Sequence, residues 1–295
     1  MVYLLLASLI WSVSFGLVAE QLKVMESMQL ATTRLWLSCL VFAFPLIFRY
    51  TPSIKKSIKV KLLVMGIGQY GLMYILYTNS YSYLRAWQVA LWTITTPLWI
   101  IICSANRTRI IAALPAVCLA ILGGYLLTPQ APHTSENSYL GIALVQSANF
   151  CFAAGQIYYR RIAPQGINPG YLYFWPYLGG ALAATLVTSL TTPNWTSFNA
   201  ETADILRLTY LGVVASGLGF VLWNHGATKV TVAQLAVWNN LKIPIAIIVS
   251  LGFFEKLPDT PLESCIGVCL LMMALLVADE TFKKAFGNLL KVARP

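Results

Sequence analysis

The chain has 295 residues, of which 58% are hydrophobic and only 10% charged, at a mean hydropathy of +0.70. A soluble domain carries roughly 25% charged residues, so a water-facing surface cannot be assembled from this composition; soluble enzymes, DNA-binding modules and secreted disulfide scaffolds are excluded. The net charge of +10 has to be read by its placement before its sum.

In chain order, apolar stretches run over 2–20, 29–48, 62–82, 86–104, 110–128, 139–157, 170–190, 208–226, 232–254 and 262–279. A bilayer core takes roughly 20 residues of helix. Backbone groups in hydrocarbon must be satisfied within their own segment, so each stretch is predicted to be a transmembrane helix and not an alternating barrel strand. The first is counted as a span, because Met1-Val2-Tyr3 supplies no positive n-region for a signal peptide. The predicted fold class is an all-α integral membrane protein of ten transmembrane helices.

The connections differ in sign. If alternate loops share a side, one side collects Arg49, Lys55, Lys56, Lys59, Lys61, Arg107, Arg109, Arg160, Arg161, Lys229, Lys283, Lys284, Lys291 and Arg294. The other holds Lys23, Arg85, Arg207 and Lys256, together with eight of the ten acidic residues. A Lys/Arg excess marks the cytoplasmic side, which places both termini there. The positive charge is thus topological, with the tail after residue 281 a basic anchor to anionic lipid; no nucleic-acid partner is implied. The six cysteines fall inside spans as small packing residues, and neither a disulfide, a metal nor a cofactor is predicted.

A shift of 146 aligns Gly66 with Gly212, Gly71 with Gly217, Leu72 with Leu218, Leu76 with Leu222, Gln88 with Gln234, Ala90 with Ala236 and Trp92 with Trp238; Pro97 and Pro244 follow one residue out of register. Spans three and four therefore repeat as eight and nine. A duplicated unit with an odd number of spans must insert its second copy upside down, and inverted repeats are a route to alternating access. The predicted units are a five-helix repeat over 1–137, a second over 138–281 and the tail 282–295.

Lys242 lies near the middle of the ninth stretch, where a charge costs about 2.5 to 3.5 kcal/mol on insertion scales. No Asp or Glu lies deep in any span to pair with it, which leaves a water-filled cavity, backbone carbonyls, a depressed pKa or an anionic substrate; a lysine packed in the bundle with its amine on carbonyls is the structural reading, and the anionic substrate is preferred. Pro244 cannot donate to the Asn240 carbonyl and breaks the helix beside it; Pro97 is read as a similar break or a packing device. At about 100° per residue, Gln234, Trp238 and Lys242 share a stripe with Asn239 at its margin. Asn149, Gln146 and Gln156 in span six, Gln69 and Tyr74 in span three and Trp11 in span one are uncharged groups that bond helices together or line a cavity. Trp223 suits an interfacial aromatic belt. Arg34 is expected to snorkel or to pair with Glu20, a structural role. His133 and His225 assemble no catalytic constellation, so an enzyme is not predicted.

Leu9-Ile10-Trp11-Ser12, Arg34 at the opening of span two, and the proline-bearing fourth and ninth helices resemble the drug/metabolite transporter superfamily, EamA-like branch, over nearly the whole chain. Leu211 to Phe220, Trp223-Asn224, Gly226-Ala227-Thr228, Asn239-Asn240, Met73-Tyr74, Tyr83-Leu84 and Gln146 to Ala154 are similar to the biotin-carrying members of that branch, which have a histidine where Lys242 stands. The resemblance implies a secondary carrier in a bacterial inner membrane whose substrate is biotin or another small carboxylate or amino acid. Its carboxylate would meet Lys242, its ureido ring Asn239 and Asn149, and its apolar part Trp238, Trp11 and Tyr74. Export of amino acids or related metabolites is the second reading, and a membrane-bound enzyme or receptor the rival from another class. Transport direction, coupling ion and oligomeric state are not specified.

Overall fold

The computed structural model describes residues 2–48, 53–104, 138–164, 166–167, 169–192, 201–232 and 261–278, with separate positions within 114–126 and 234–249. Among these every regular element is helical and none is a strand. The helices are α1 (Val2–Gln21), α2 (Ser27–Phe48), α3 (Lys56–Gly66), α4 (Met73–Ser80), α5 (Ala86–Trp92), α6 (Thr96–Cys103), α7 (Ser138–Ile162), α8 (Phe174–Thr191), α9 (Thr202–Thr209), α10 (Gly219–Ala227) and α11 (Pro261–Ala278).

Several merge into longer spans. A π-helical segment, Ile67–Leu72, joins α3 to α4, and a second, Tyr210–Leu218, joins α9 to α10. A 3-10 turn, Thr93–Thr95, joins α5 to α6. Among the described residues five helices, including the composite Lys56–Ser80, Ala86–Cys103 and Thr202–Ala227, are long and apolar enough to cross a membrane. Most of the expected spans over 110–128 and 232–254, the 129–137 loop and the tail lie outside the described residues. Three helices extend past the apolar stretches that announce them: α3 starts at Lys56, α7 runs on to Ile162 and α9 starts at Thr202. Their added turns carry Lys59, Arg161 and Asp204, because a helix whose ends stand in water has no need to stop where hydropathy falls.

The third span packs on α8 through glycine. A Cβ on Gly66 would collide with the Pro176 carbonyl, one on Gly179 with that of Leu63, and one on Gly71 would stand 3.0 Å from the Gly180 carbonyl oxygen. Backbones meet without intervening side chains, as small residues permit where lipid removes the hydrophobic drive to associate. The shift of 146 has a structural counterpart here. It carries residues 67–72 onto 213–218, inside the second π segment, and it carries Gly66 onto Gly212, which packs so closely on Leu37 of α2 that a Cβ would stand only 2.7 Å from that side chain. Each π-bearing span thus lays its glycines on a helix contributed by the other half of the sequence.

The starts of spans four and nine obey the same shift. Gln88 Oε1 accepts the Arg85 amide at 2.9 Å, and Gln234 Oε1 accepts the Thr231 amide at 3.0 Å while Thr231 Oγ1 accepts the Gln234 amide at 3.2 Å. Both are reach-back caps that satisfy amides orphaned at a helix start. The bundle has a basic end, where Lys59 sits over the Trp175 ring and Lys229 over that of Tyr3, and an acidic end, where Lys23 pairs with Glu20 at 2.7 Å and Arg207 with Asp204 at 2.6 Å.

Candidate substrate cavity

The midsection of the bundle holds an open cavity, about 550 Å³ counted with its mouth. Its wall draws on six spans. Trp11, Ser14 and Phe15 come from α1, Arg34 from α2, Met73, Tyr74 and Tyr77 from α4, Thr93 and Thr96 from the fourth span, Ala148, Asn149 and Phe152 from α7, and Phe220 from α10.

Arg34 is the charged group in that wall, and it is only 2% exposed. Its Nε donates to Ser216 Oγ at 3.1 Å and its Nη2 to the Tyr74 hydroxyl at 3.2 Å, while the guanidinium carbon lies 4.5 Å from the centre of the Tyr74 ring. Nη1 is buried with no hydrogen-bond partner. Among the described residues no carboxylate pairs with this cation: Glu20, expected as its partner, is taken by Lys23. The structure therefore corrects the snorkelling reading. The side chain turns inward because the groups it meets there are polar: Tyr74 and Ser216 bond each other at 2.8 Å, and Ser216 Oγ also donates to the Leu211 carbonyl, five residues back within the π segment. The Tyr177 hydroxyl closes the cluster on the Ser216 carbonyl.

Trp11 is held from behind. Its indole N–H donates to the Ala215 carbonyl at 2.8 Å, and Gly219 leaves the space, since a Cβ there would lie 2.6 Å from the indole nitrogen. The indole N–H is thereby spent on the fold, and the ring is what Trp11 offers a ligand. Asn149 Nδ2 donates to the Trp92 carbonyl at 3.0 Å and to Thr95 Oγ1 at 3.3 Å; Gln146 joins the same carbonyl at 3.1 Å. These bonds serve acceptors at the 3-10 turn, where the regular ladder is interrupted just before Pro97, which stands in the first turn of α6. Asn149 keeps Oδ1 as an acceptor for the cavity.

Of the residues singled out in the sequence, Trp11, Tyr74 and Asn149 share this wall. Gln234 stands at the cap of span nine and is not among the residues of this wall. Trp238 meets α1 through its carbonyl, 3.5 Å from Ser8 Oγ, and Asn239 is fully buried; neither is in the cavity wall. Lys242 and Pro244 lie outside the described residues.

Aromatic rings close the cavity toward the basic end. Trp11 stands 5.0 Å from Phe220, 5.7 Å from Phe152 and 5.1 Å from Trp223, and Phe152 stands 5.6 Å from Phe220. Trp223 is fully buried in this set, which corrects its reading as an interfacial belt residue. The arrangement offers a fixed cation at one side, stacking faces around it and amide and hydroxyl groups opposite: the means to hold an amphipathic anion, with no nucleophile-base pair to transform it.

The profile of the EamA-like transporter family matches residues 1–128 and again 139–278. The chain is 33% identical over 267 residues to the biotin transporter of Salmonella typhimurium, covering 88% of this chain and 87% of that protein. It is 32% identical over 267 residues to the biotin transporter of Escherichia coli, with the same coverage. A probable biotin transporter of Pseudomonas aeruginosa is 30% identical over 275 residues, covering 88% of this chain and 91% of the relative. A solved crystal structure shares the fold at a TM-score of 0.73 and 17% identity, covering 96% of this chain and 97% of that one.

Proposed function

The chain belongs to the EamA-like transporter family, and from that premise we propose that it takes up biotin, or a small carboxylate of like shape, across a bacterial inner membrane. It is a membrane transporter and not an enzyme. The carrier of this reading has ten spans in two inverted five-helix repeats and works by alternating access. Support for the repeat comes from the two stretches matched by the family profile, the paired π segments and the paired glutamine caps.

The observation that carries the substrate is Arg34: a buried guanidinium, without a carboxylate partner among the described residues, in a cavity walled by rings. A cation in that state is poorly compensated while the site is empty, and a substrate carboxylate removes part of the penalty. Biotin brings one carboxylate, an apolar chain and bicycle for Trp11, Phe152 and Phe220, and a ureido ring for Asn149, Thr93 and Thr96. Lys242 of span nine completes the site on this reading, with Asn239 and Trp238 behind the cavity wall. Three curated relatives at 30 to 33% identity are named as biotin or probable biotin transporters.

The test is growth of a biotin auxotroph lacking its own transporter, supplied with this gene at trace biotin, with labelled-biotin accumulation measured in intact cells. Accumulation at a rate well above the empty vector is expected. Efflux of amino acids from preloaded cells, with no biotin entry, would replace this reading by the export one.

Orientation has its own expected result. With both termini cytoplasmic, a cysteine at Asn137 in a cysteine-free background reacts with an impermeant thiol reagent added to spheroplasts, and one at Ser57 does not. The reverse pattern would invert the topology.

A further inference from the structure

On the basic side of the ring partition lies a set of buried polar groups that the outer cavity does not use. Gln156 is fully buried, and neither its amide nitrogen nor its amide oxygen has a hydrogen-bond partner. Gln69 Oε1 and Trp223 Nε1 are buried without one as well. Gln69 Nε2 reaches Asn224 Oδ1 at 3.4 Å, and Asn224 Nδ2 donates to the Tyr70 hydroxyl at 2.9 Å. Gly155 brings α7 against this group, since a Cβ there would stand 2.6 Å from the amide carbon of Gln69.

Three helices connect this set to the cavity. On α7, Asn149 lines the cavity, Phe152 belongs to the partition and Gln156 follows one turn beyond, all on one face at helical spacing. In the third span Tyr74 lines the cavity and Tyr70 with Gln69 follow a turn below. In the eighth, Ser216 bonds Arg34, Phe220 is in the partition, and Trp223 and Asn224 follow. From Asn149 to Gln156 the helix rises about 10 Å. Orphaned groups of this kind are costly unless another state supplies their partners.

We propose that Gln156, Gln69, Trp223 and Asn224 form a second substrate station, reached when the ring partition opens, that takes the uncharged amide- or ureide-type end of the substrate. Its chemistry differs from that of the outer cavity. Gln156 offers both a donor and an acceptor, Gln69 an acceptor and Trp223 a donor, and none of the four is a cation. That set matches a group with N–H donors flanking a carbonyl and gives a carboxylate no cation to offset its charge. The ureide end therefore leads, passing from Asn149 to Gln156 along α7, while the carboxylate trails at Arg34. The inference rests on the uptake reading above and adds to it the order in which the two ends of the substrate cross.

Two variants test it in the full-length protein: Gln156→Leu, which removes both amide groups, and Trp223→Phe, which keeps a ring and removes the donor. Biotin is the probe in three measurements, namely equilibrium binding to purified protein, uptake rate in proteoliposomes, and thermal stability. With about fivefold for each lost hydrogen bond, uptake should fall roughly 10- to 30-fold in Gln156→Leu and about fivefold in Trp223→Phe. Biotin binding should stay within about twofold of wild type, because the outer cavity is intact, and thermal stability should hold or rise, because unsatisfied groups leave the core. Flux within about twofold of wild type in both variants would overturn the station and assign these groups to transient water. A parallel loss of stability and flux would overturn it in favour of a structural role. Wild-type protein that neither binds nor carries biotin would overturn the functional reading and the station with it, a result distinct from wild-type transport with unaffected variants.

Discussion

Replacing Arg34 by methionine is expected to raise the KM for biotin uptake by about 30-fold or more while leaving the purified protein at least as stable as the wild type. The first half of this result follows from the buried guanidinium with Nη1 unpartnered in the cavity wall. Removing one member of a buried, hydrogen-bonded charge pair costs roughly 2 kcal/mol or more, and 2 kcal/mol is about 30-fold in an equilibrium constant. The second half follows because an uncompensated buried charge is a burden on the empty protein, and an apolar side chain of similar length removes it. Arg34→Lys keeps the charge but loses the Nε bond to Ser216 and the planar fork, so an intermediate KM is expected. A wild-type KM in Arg34→Met would exclude the guanidinium from substrate binding. A marked loss of stability would make it a strut between α2, Tyr74 and Ser216 instead.

Arg34 also shows where reading the chain runs out. Sequence position gives its depth, about two turns into α2, and at that depth a long cation can run out to the headgroups or turn inward. The choice is made by Tyr74 and Ser216, which reach it from 40 and 182 residues away in the chain. Gln234 takes its place at a cap for a local reason. Helical periodicity places it on a stripe with Trp238, but unpaired amides at a helix start are a stronger demand on a glutamine than a face is, and Thr231 supplies the other half of the cap. Trp223 looks interfacial by depth and is buried because Trp11 and Phe152 pack around it. What was legible rests on chemistry that needs no partner to be recognised. Hydropathy marks helices, and Trp11, Tyr74 and Asn149 stand out as groups that lipid would not tolerate facing outward. The shift of 146 was legible because glycine and glutamine have fixed jobs, close helix approach and capping, at the positions it relates. The π segments were not, since one extra residue per turn leaves no mark on an apolar pattern.

Lys242→Met is expected to raise the KM for biotin by about 10-fold or more with normal membrane insertion, and Lys242→Arg or Lys242→His to do less harm. The ground is the cost of a lysine near the middle of an apolar stretch, about 2.5 to 3.5 kcal/mol, with no carboxylate deep in any span of the sequence to offset it. The repeat adds a second ground. The shift of 146 aligns Lys242 with Thr96, and the one-residue drift that aligns Pro244 with Pro97 pairs it with Thr95. In the first half Thr96 lines the cavity and Thr95 bonds Gln146 at 2.6 Å beside it. Two cations and one substrate carboxylate make a further expectation. If Arg34 and Lys242 hold the same group, their effects are coupled, and the double variant should be less damaging than the product of the two single losses. Simple multiplication of the two effects would place the cations at separate steps of transport. An unchanged KM in Lys242→Met would make the lysine structural and leave Arg34 alone to meet the carboxylate.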